Sequence, residues 1–322
     1  MVKFLITGGA GLIGSQIARE LTENKHEVIL YDSFINYKSP LETRYQLYLE
    51  KRFEGIRDKV VFERGDTRDK DHTRRVLMKH KPEIIIHLAA LPLADLSDTH
   101  TEEATSTILQ ATINILEVLR ETDFVKRFIY TSSSMVYGDF QYAPADENHP
   151  KNPKDIYGGM KLAGEIITES FCRRYKIPFT IIRPSAVYGP TDVNRRVSQI
   201  FIENAMKGKE LILHDGGEAK LDFTYVKDIA HGFVLAALSN EAVNEIFNIT
   251  TGKARSLKEF AEILKQHFPD LKIKEEPQKD GFIRPKRGTL AISKAKDLLG
   301  YEPQYNIEKG IKEYIEFLKN LS

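Results

Sequence analysis

Tyr157 and Lys161 stand four residues apart in "DIYGGMKLAGE" (155 to 165), a spacing that puts both side chains on one face of a helix. A phenol beside an ammonium group is a proton-transfer unit. Alone a phenol titrates near pH ~10, and a neighbouring cation favours its ionised form, so such a tyrosine can accept a proton near neutrality. A second group of residues opens the chain. "GGAGLIGS" sets Gly8, Gly11 and Gly14 three apart, with Leu12 and Ile13 between the last two, directly after an apolar run and before a helical pattern. Glycines so placed allow a tight turn and close approach of the backbone to a pyrophosphate, whose charge the helix N-terminus faces. Asp32 ends the next apolar run, where a carboxylate accepts hydrogen bonds from an adenosine ribose and repels a 2′-phosphate; NAD is expected over NADP. Asp66 and Thr67 end a third run, with Asp66 in reach of an adenine amino group. Leu88, Ala89 and Ala90 of "HLAA" end a fourth. His87, inside an apolar run, reads as a packed histidine rather than a catalytic one.

The elements that must hold these residues alternate. Apolar runs at 2–7, 27–32, 59–66, 83–90, 127–133 and 179–184 are separated by helical spacing at 12–24, 70–81, 102–121 and 157–175. Apolar strands separated by helices indicate a parallel sheet covered on both faces, a doubly wound α/β (Rossmann) domain. The sequence predicts that domain over 1–189, with 224–250 returning to it and "EIFNIT" as a further strand. A smaller, mostly helical substrate lobe is predicted over 190–223 and 251–322, with Ser256 capping one of its helices. The basic and aromatic stretch 42–59 reads as an amphipathic helix.

Composition narrows the function classes. The 322 residues are 41% hydrophobic and 29% charged, ample for a large core. Lys+Arg 47 against Asp+Glu 46 leaves a net charge of +1, so no global field recruits nucleic acid or an anionic membrane surface. Any anionic ligand must be bound by local features. The lone Cys172 excludes an intramolecular disulfide, and no metal site is read from the chain. No apolar run approaches the ~20 residues of a membrane span, and no secretory leader opens the sequence. A cytoplasmic protein is expected.

Together these stretches resemble the extended short-chain dehydrogenase/reductase superfamily and, within it, the nucleotide-sugar epimerase/dehydratase family. The resemblance covers nearly the whole chain, through "TGGAGLIGS", "GD" at 65–66, "HLAA", "TSSSMVYG" (131–138), "YGGMK" (157–161), "RPSAVYGP" (183–190), "DFTYVKDIA" (222–230) and "RPKRGTLAISKAKDLLGYEP" (284–303). It implies that Tyr157 deprotonates a sugar hydroxyl while hydride leaves the same carbon for NAD. Lys161 would lower the pKa of that phenol and reach the nicotinamide ribose, and Ser133 would hydrogen-bond the reacting oxygen. Tyr137 would line the sugar pocket, with a packing role as the alternative.

The chain also departs from the family pattern. Leu221 stands where many members have a diphosphate-binding Arg, and Ala186 where an Asn commonly contacts substrate. Arg284 matches a family phosphate-binding Arg, Arg287 is near it, and Lys220, Arg195 or Arg196 are the candidate replacements. The motif pattern is nearest that of UDP-sugar 4-epimerases, with a nucleotide-diphosphate sugar as partner. Net redox chemistry, as a 4-dehydrogenase or 4-keto-sugar reductase, and a non-catalytic NAD-binding scaffold are the alternatives. A 4,6-dehydratase is disfavoured, because Ser134 and Met135 replace the acidic pair of that branch. A homodimer is expected, with helices 102–121 and 157–175 pairing across a two-fold axis.

Overall fold

The computed structural model describes residues 1–38, 44–277 and 285–321. Strand and helix alternate through β1 (Lys3–Thr7), α1 (Leu12–Glu23), β2 (Glu27–Asp32), α2 (Tyr45–Phe53), β3 (Val60–Arg64), α3 (Lys70–His80) and β4 (Ile84–His87). Three helices follow: α4 (Ala94–Thr99), α5 (Thr101–Ala104) and α6 (Ala111–Leu119). The first half ends with β5 (Arg127–Thr131), α7 (Ile156–Tyr175) and β6 (Phe179–Pro184). The remainder runs β7 (Val187–Tyr188), α8 (Val197–Met206), β8 (Leu211–His214), β9 (Lys220–Leu221), β10 (Thr224–Tyr225), α9 (Val226–Leu238) and β11 (Glu245–Ile249). It closes with β12 (Arg255–Ser256), α10 (Leu257–His267), β13 (Ile273–Glu276), α11 (Ser293–Leu299) and α12 (Ile307–Lys319).

Seven parallel strands form one sheet in the order β11-β6-β5-β4-β1-β2-β3. Its strands are apolar at nearly every position because each face is covered. Phe4, Ile6, Ile86, Ile129, Ile182 and Phe247 point to the side packed by α1 and α9, while Leu5, Ile85, Phe128, Tyr130 and Ile181 meet α3, α6 and α7 on the other. The chain runs outward from β1 to β2 and β3, then crosses back to β4 on its far side. That reversal opens a crevice beyond the carboxyl ends of β1 and β4, where this architecture binds ligands. A second apolar cluster, with Phe201, Leu213, Phe223, Phe260 and Tyr314 at its centre, holds α8, α10 and α12 over that crevice. The cap on α10 is reciprocal: Ser256 Oγ accepts from Glu259 N, and the Glu259 carboxylate accepts from Ser256 N.

Two segments differ from the periodicity. Between α5 and α6 the helix widens to a π turn over Thr105–Gln110. Three consecutive hydroxyls there donate to carbonyls of the preceding turn, Thr105 to Thr101 and both Ser106 and Thr107 to Glu103, competing with the regular ladder. Of the stretch read as one helix over 42–59, residues 42 and 43 lie outside the described residues, and among the rest helix is confined to α2 and a 3₁₀ turn at Arg57–Lys59, separated where Glu54 turns extended. No helix among the described residues is long and apolar enough to cross a membrane.

Candidate active site

A single cavity of about 1340 Å³ runs from the glycine turn, past the ends of β4 and β5, to the face of the second apolar cluster. At its first end Gly8, Gly11, Leu12, Ile13 and Gly14 line the wall. The turn has no room for side chains: a Cβ on Gly14 would lie 2.7 Å from Gly9 Cα, and one on Gly8, at φ +66, 2.8 Å from Ala89 N. Asp32 also lines the cavity and ties two loops together, accepting from Ala10 N at 2.9 Å and Phe34 N at 2.7 Å. Its burial raises its carboxyl above the usual range, against those two donors. Asp66, Thr67, Leu88, Ala89 and Ala90 border the same end. Asp66 is already engaged, since Arg68 Nη2 sits 2.7 Å from it and Arg68 Nη1 reaches Glu103 at 2.8 Å. Desolvation works against the Asp66 charge, but the guanidinium outweighs it and holds the carboxyl below its ordinary value.

The reaction centre is assembled from the end of β5 and the first turns of α7. Asp155 caps α7, accepting from Gly158 N at 2.6 Å, which fixes Tyr157 and Lys161 one turn inside. Ser133 leaves β5 in extended conformation and caps a short turn, its hydroxyl accepting from Met135 N at 3.2 Å. Ser133, Tyr157 and Lys161 all face the cavity. The electrostatics differ from the expectation that Lys161 lowers the phenol. Burial dominates and raises Tyr157, while Arg196 and the Ser133 hydroxyl pull in the other direction. Lys161 is turned away, its Nζ donating to Thr131 O at 2.8 Å and lying 5.8 Å from the Tyr157 ring centroid. Burial brings Lys161 itself down to about 7, with Glu165 opposing that fall.

Other positions fall less uniformly. Arg195 and Arg196 line the cavity, paired with Glu203 at 2.6 Å and Asp192 at 3.1 Å; Arg196 also donates to Pro92 O. Lys220 is exposed and lies outside the lining, whereas Leu221 and Ala186 are part of it. Arg284 lies outside the described residues. Of the two readings of Tyr137, pocket lining gives way to packing. Tyr137 is fully buried behind the wall, donating to Asn248 Oδ1 at 2.7 Å and accepting from Arg183 Nη1 at 2.9 Å. The turn after Ser133 points it inward, and its hydroxyl needs partners there. His87 is packed between Thr7 Oγ1 (2.7 Å) and Thr112 Oγ1 (3.1 Å), and burial lowers it to about 3.

Two buried arginines have roles that residue spacing does not show. Arg52 on α2 donates to Ala10 O at 2.7 Å and to Thr191 O at 2.6 Å, bridging the glycine turn to the loop that carries Asp192 and Arg196. Arg183 on β6 is bound at two points by Glu165. The second carried a signal: an arginine inside a buried apolar strand needs an anion, and Glu165 stands one turn beyond Lys161.

The model of the NAD dependent epimerase/dehydratase family matches residues 4–250. A Methanocaldococcus jannaschii protein provisionally named a UDP-glucose 4-epimerase is 34% identical, over 98% of both chains. A Mus musculus dTDP-D-glucose 4,6-dehydratase is 28% identical, over 98% of this chain and 88% of its own. Among solved structures, the UDP-glucuronic acid 4-epimerase of Bacillus cereus, in complex with UDP-glucuronic acid and NAD, superposes with a TM-score of 0.89. It is 26% identical and is covered over 100% of its length by 99% of this chain.

Proposed function

Since the chain belongs to the NAD-dependent epimerase/dehydratase family, we propose that it is a nucleotide-sugar 4-epimerase acting on a UDP-hexose such as UDP-glucose or UDP-glucuronate. The observation that carries this reading is the wall beside Ser133. A 4,6-dehydratase must remove the C5 proton and protonate the departing C6 hydroxyl, which takes an added acid and base. Here the two positions are Ser134, whose hydroxyl donates to Ser185 Oγ at 3.1 Å, and Met135, which has no proton to give. Two of the cavity carboxylates, Asp98 and Asp155, are engaged by the first turn of α7, accepting from Ile156 N and Gly158 N.

NAD is the cofactor, and the crevice fits it: the glycine turn leaves a cradle that a Cβ would fill, and Asp32 lies beside that cradle. Bound there, NAD supplies the acceptor and donor of hydride at C4. Tyr157 takes the C4 hydroxyl proton and returns it after the sugar has turned. Ser133 hydrogen-bonds the same oxygen, and Arg196 adds positive charge where the phenolate forms. Arg195 and Arg196 are the cations of the lining that stand in for the arginine replaced by Leu221. The cytosol suits a chain whose one cysteine is buried and free.

The test is to incubate the protein and NAD with UDP-, GDP- and dTDP-hexoses and the matching uronic acids, following products by NMR in deuterated water. C4 inversion without label at C5 and without accumulating NADH is expected. Loss of the C6 hydroxyl with deuterium entering at C5 would establish a dehydratase instead.

A further inference from the structure

Directly beneath the reaction centre lies a charged network that the chemistry above does not use. The Arg183 and Glu165 side chains are 0% and 1% exposed. Arg183 Nη2 meets Glu165 Oε2 at 2.6 Å and Arg183 Nε meets Oε1 at 2.8 Å. Nη1 donates to the Tyr137 hydroxyl at 2.9 Å and the Glu147 carbonyl at 3.0 Å, and the Tyr137 hydroxyl in turn donates to Asn248 Oδ1. A buried ion pair is a weak source of stability compared with apolar residues of the same volume. Its position therefore calls for another account.

That position is set by three consecutive residues at the end of β5. The Thr131 carbonyl accepts from Lys161 Nζ at 2.8 Å, the Ser132 hydroxyl donates to Glu165 Oε1 at 2.5 Å, and Ser133 lines the cavity together with Tyr157. The first two are thus fastened to successive turns of α7, and the third is carried with them. Ser132 is the middle tie, and Arg183 binds the same Glu165 oxygen from the other side. We propose that Glu165, locked by Arg183, is a positioning residue of the reaction centre: through Ser132 it holds the Thr131–Ser133 segment against α7, and it sets a carboxylate one turn from Lys161 on the same helix face. This rests on Ser133, Tyr157 and Lys161 being the reacting groups.

The groups around Lys161 make Glu165 the decisive charge. On its own helix the flanking groups are the Tyr157 ring, 5.8 Å away, and Glu165 one turn on; from β5 come the Tyr130 ring at 5.4 Å and the Thr131 carbonyl. From β4 comes His87, neutral in its hydroxyl cage, and from β6 Arg183, beyond Glu165. Burial pushes the ammonium toward neutrality and Glu165 resists. Removing the Glu165 charge leaves Arg183 unopposed, and both changes lower the Lys161 midpoint. Removing the Arg183 charge frees Glu165 to act on Lys161 and raises it. Charge alone gives those opposite signs, so the positioning role is read from Ser132→Ala, which leaves both charges in place.

The experiment needs no substrate, so its outcome is separable from the choice of reaction. Trace acetic anhydride is applied to the full chain across pH, and acetylation of the Lys161 peptide is quantified by mass spectrometry. Glu165→Gln is expected to move the midpoint down and Arg183→Gln to move it up, each by about one pH unit. Ser132→Ala, which keeps both charges, is expected to leave the midpoint in place and speed acetylation severalfold as the middle tie is lost. Shifts of the same sign, or no shift, in the two charge variants would overturn the proposal. Should neither charge variant fold, an unchanged acetylation rate in Ser132→Ala would overturn it alone.

Discussion

Burial and charge pull the Tyr157 phenol in opposite directions, and the proposed chemistry depends on which side supplies the cation. Arg196, held by Asp192 and the Pro92 carbonyl, fills part of the role that the four-residue spacing assigned to Lys161. Spacing reports which side chains share a helix face; it does not report that a backbone carbonyl competes for the ammonium. Tyr157→Phe removes the proton acceptor and keeps the ring, so turnover is expected to fall by roughly 10²–10⁴-fold while bound NAD, read from the absorbance of the released cofactor, is retained. Full activity in that variant would remove Tyr157 from the mechanism. Asp32 is a second residue-scale case, because its position at a strand end was readable while its two backbone donors were not. A like charge close to a 2′-phosphate costs on the order of 1–4 kcal/mol. Asp32→Asn is therefore expected to narrow the affinity gap between NAD and NADP by about tenfold or more, measured by calorimetric titration of each cofactor. A gap that stays the same would mean that another residue reads the ribose.

At the scale of elements, strands buried on both faces leave the strongest trace in a sequence, since every position must be apolar and the runs are hard to mistake. β2 and β6 begin and end where their apolar runs do. The capping box of α10 was half visible, as a serine before a helical pattern. The π turn before α6 left no trace in the apolar period, because Thr105, Ser106 and Thr107 act through hydroxyl bonds to the backbone rather than through burial. Tyr137 stayed open between pocket and packing for a related reason: one short turn after Ser133 decides which way it points, and no periodicity spans four residues. The seat of α7 on the sheet was equally hidden. Gly164 lies against Tyr130, and a Cβ there would come within 2.0 Å of the phenol oxygen. Gly164→Ala must push α7 off β5 or displace Tyr130, an overpacking cost of about 1–3 kcal/mol. A lower urea midpoint with unchanged slope is expected, together with loss of turnover larger than the stability change alone would cause, because Tyr157 and Lys161 ride on the same helix. A variant as stable and as active as the parent would show that the sheet tolerates a wider gap.

For the whole molecule, the question is what covers the outer face of α7. Its inner face is spent on the sheet and on α6, through Lys161, Gly164, Glu165, Thr168 and Cys172. The outer stripe is small and apolar: Gly159, with open space where a Cβ would stand; Ala163, partly exposed; and Ile166, 58% exposed and among the most exposed large apolar residues described. Small residues let a second helix approach closely, and a large exposed isoleucine beside them gains by being covered. Ile113 on α6, also partly exposed, extends the apolar surface. A two-fold axis through this face would bring α6 and α7 of two copies together, each copy covering the same stripe on the other. The expected particle by light scattering is about twice the 36.8 kDa chain mass. Ile166→Glu places like charges opposite each other across such an axis, so it is expected to yield the 36.8 kDa species with unchanged far-ultraviolet circular dichroism. A parent protein that scatters as 36.8 kDa at micromolar concentration would leave the stripe without its partner and refute the dimer.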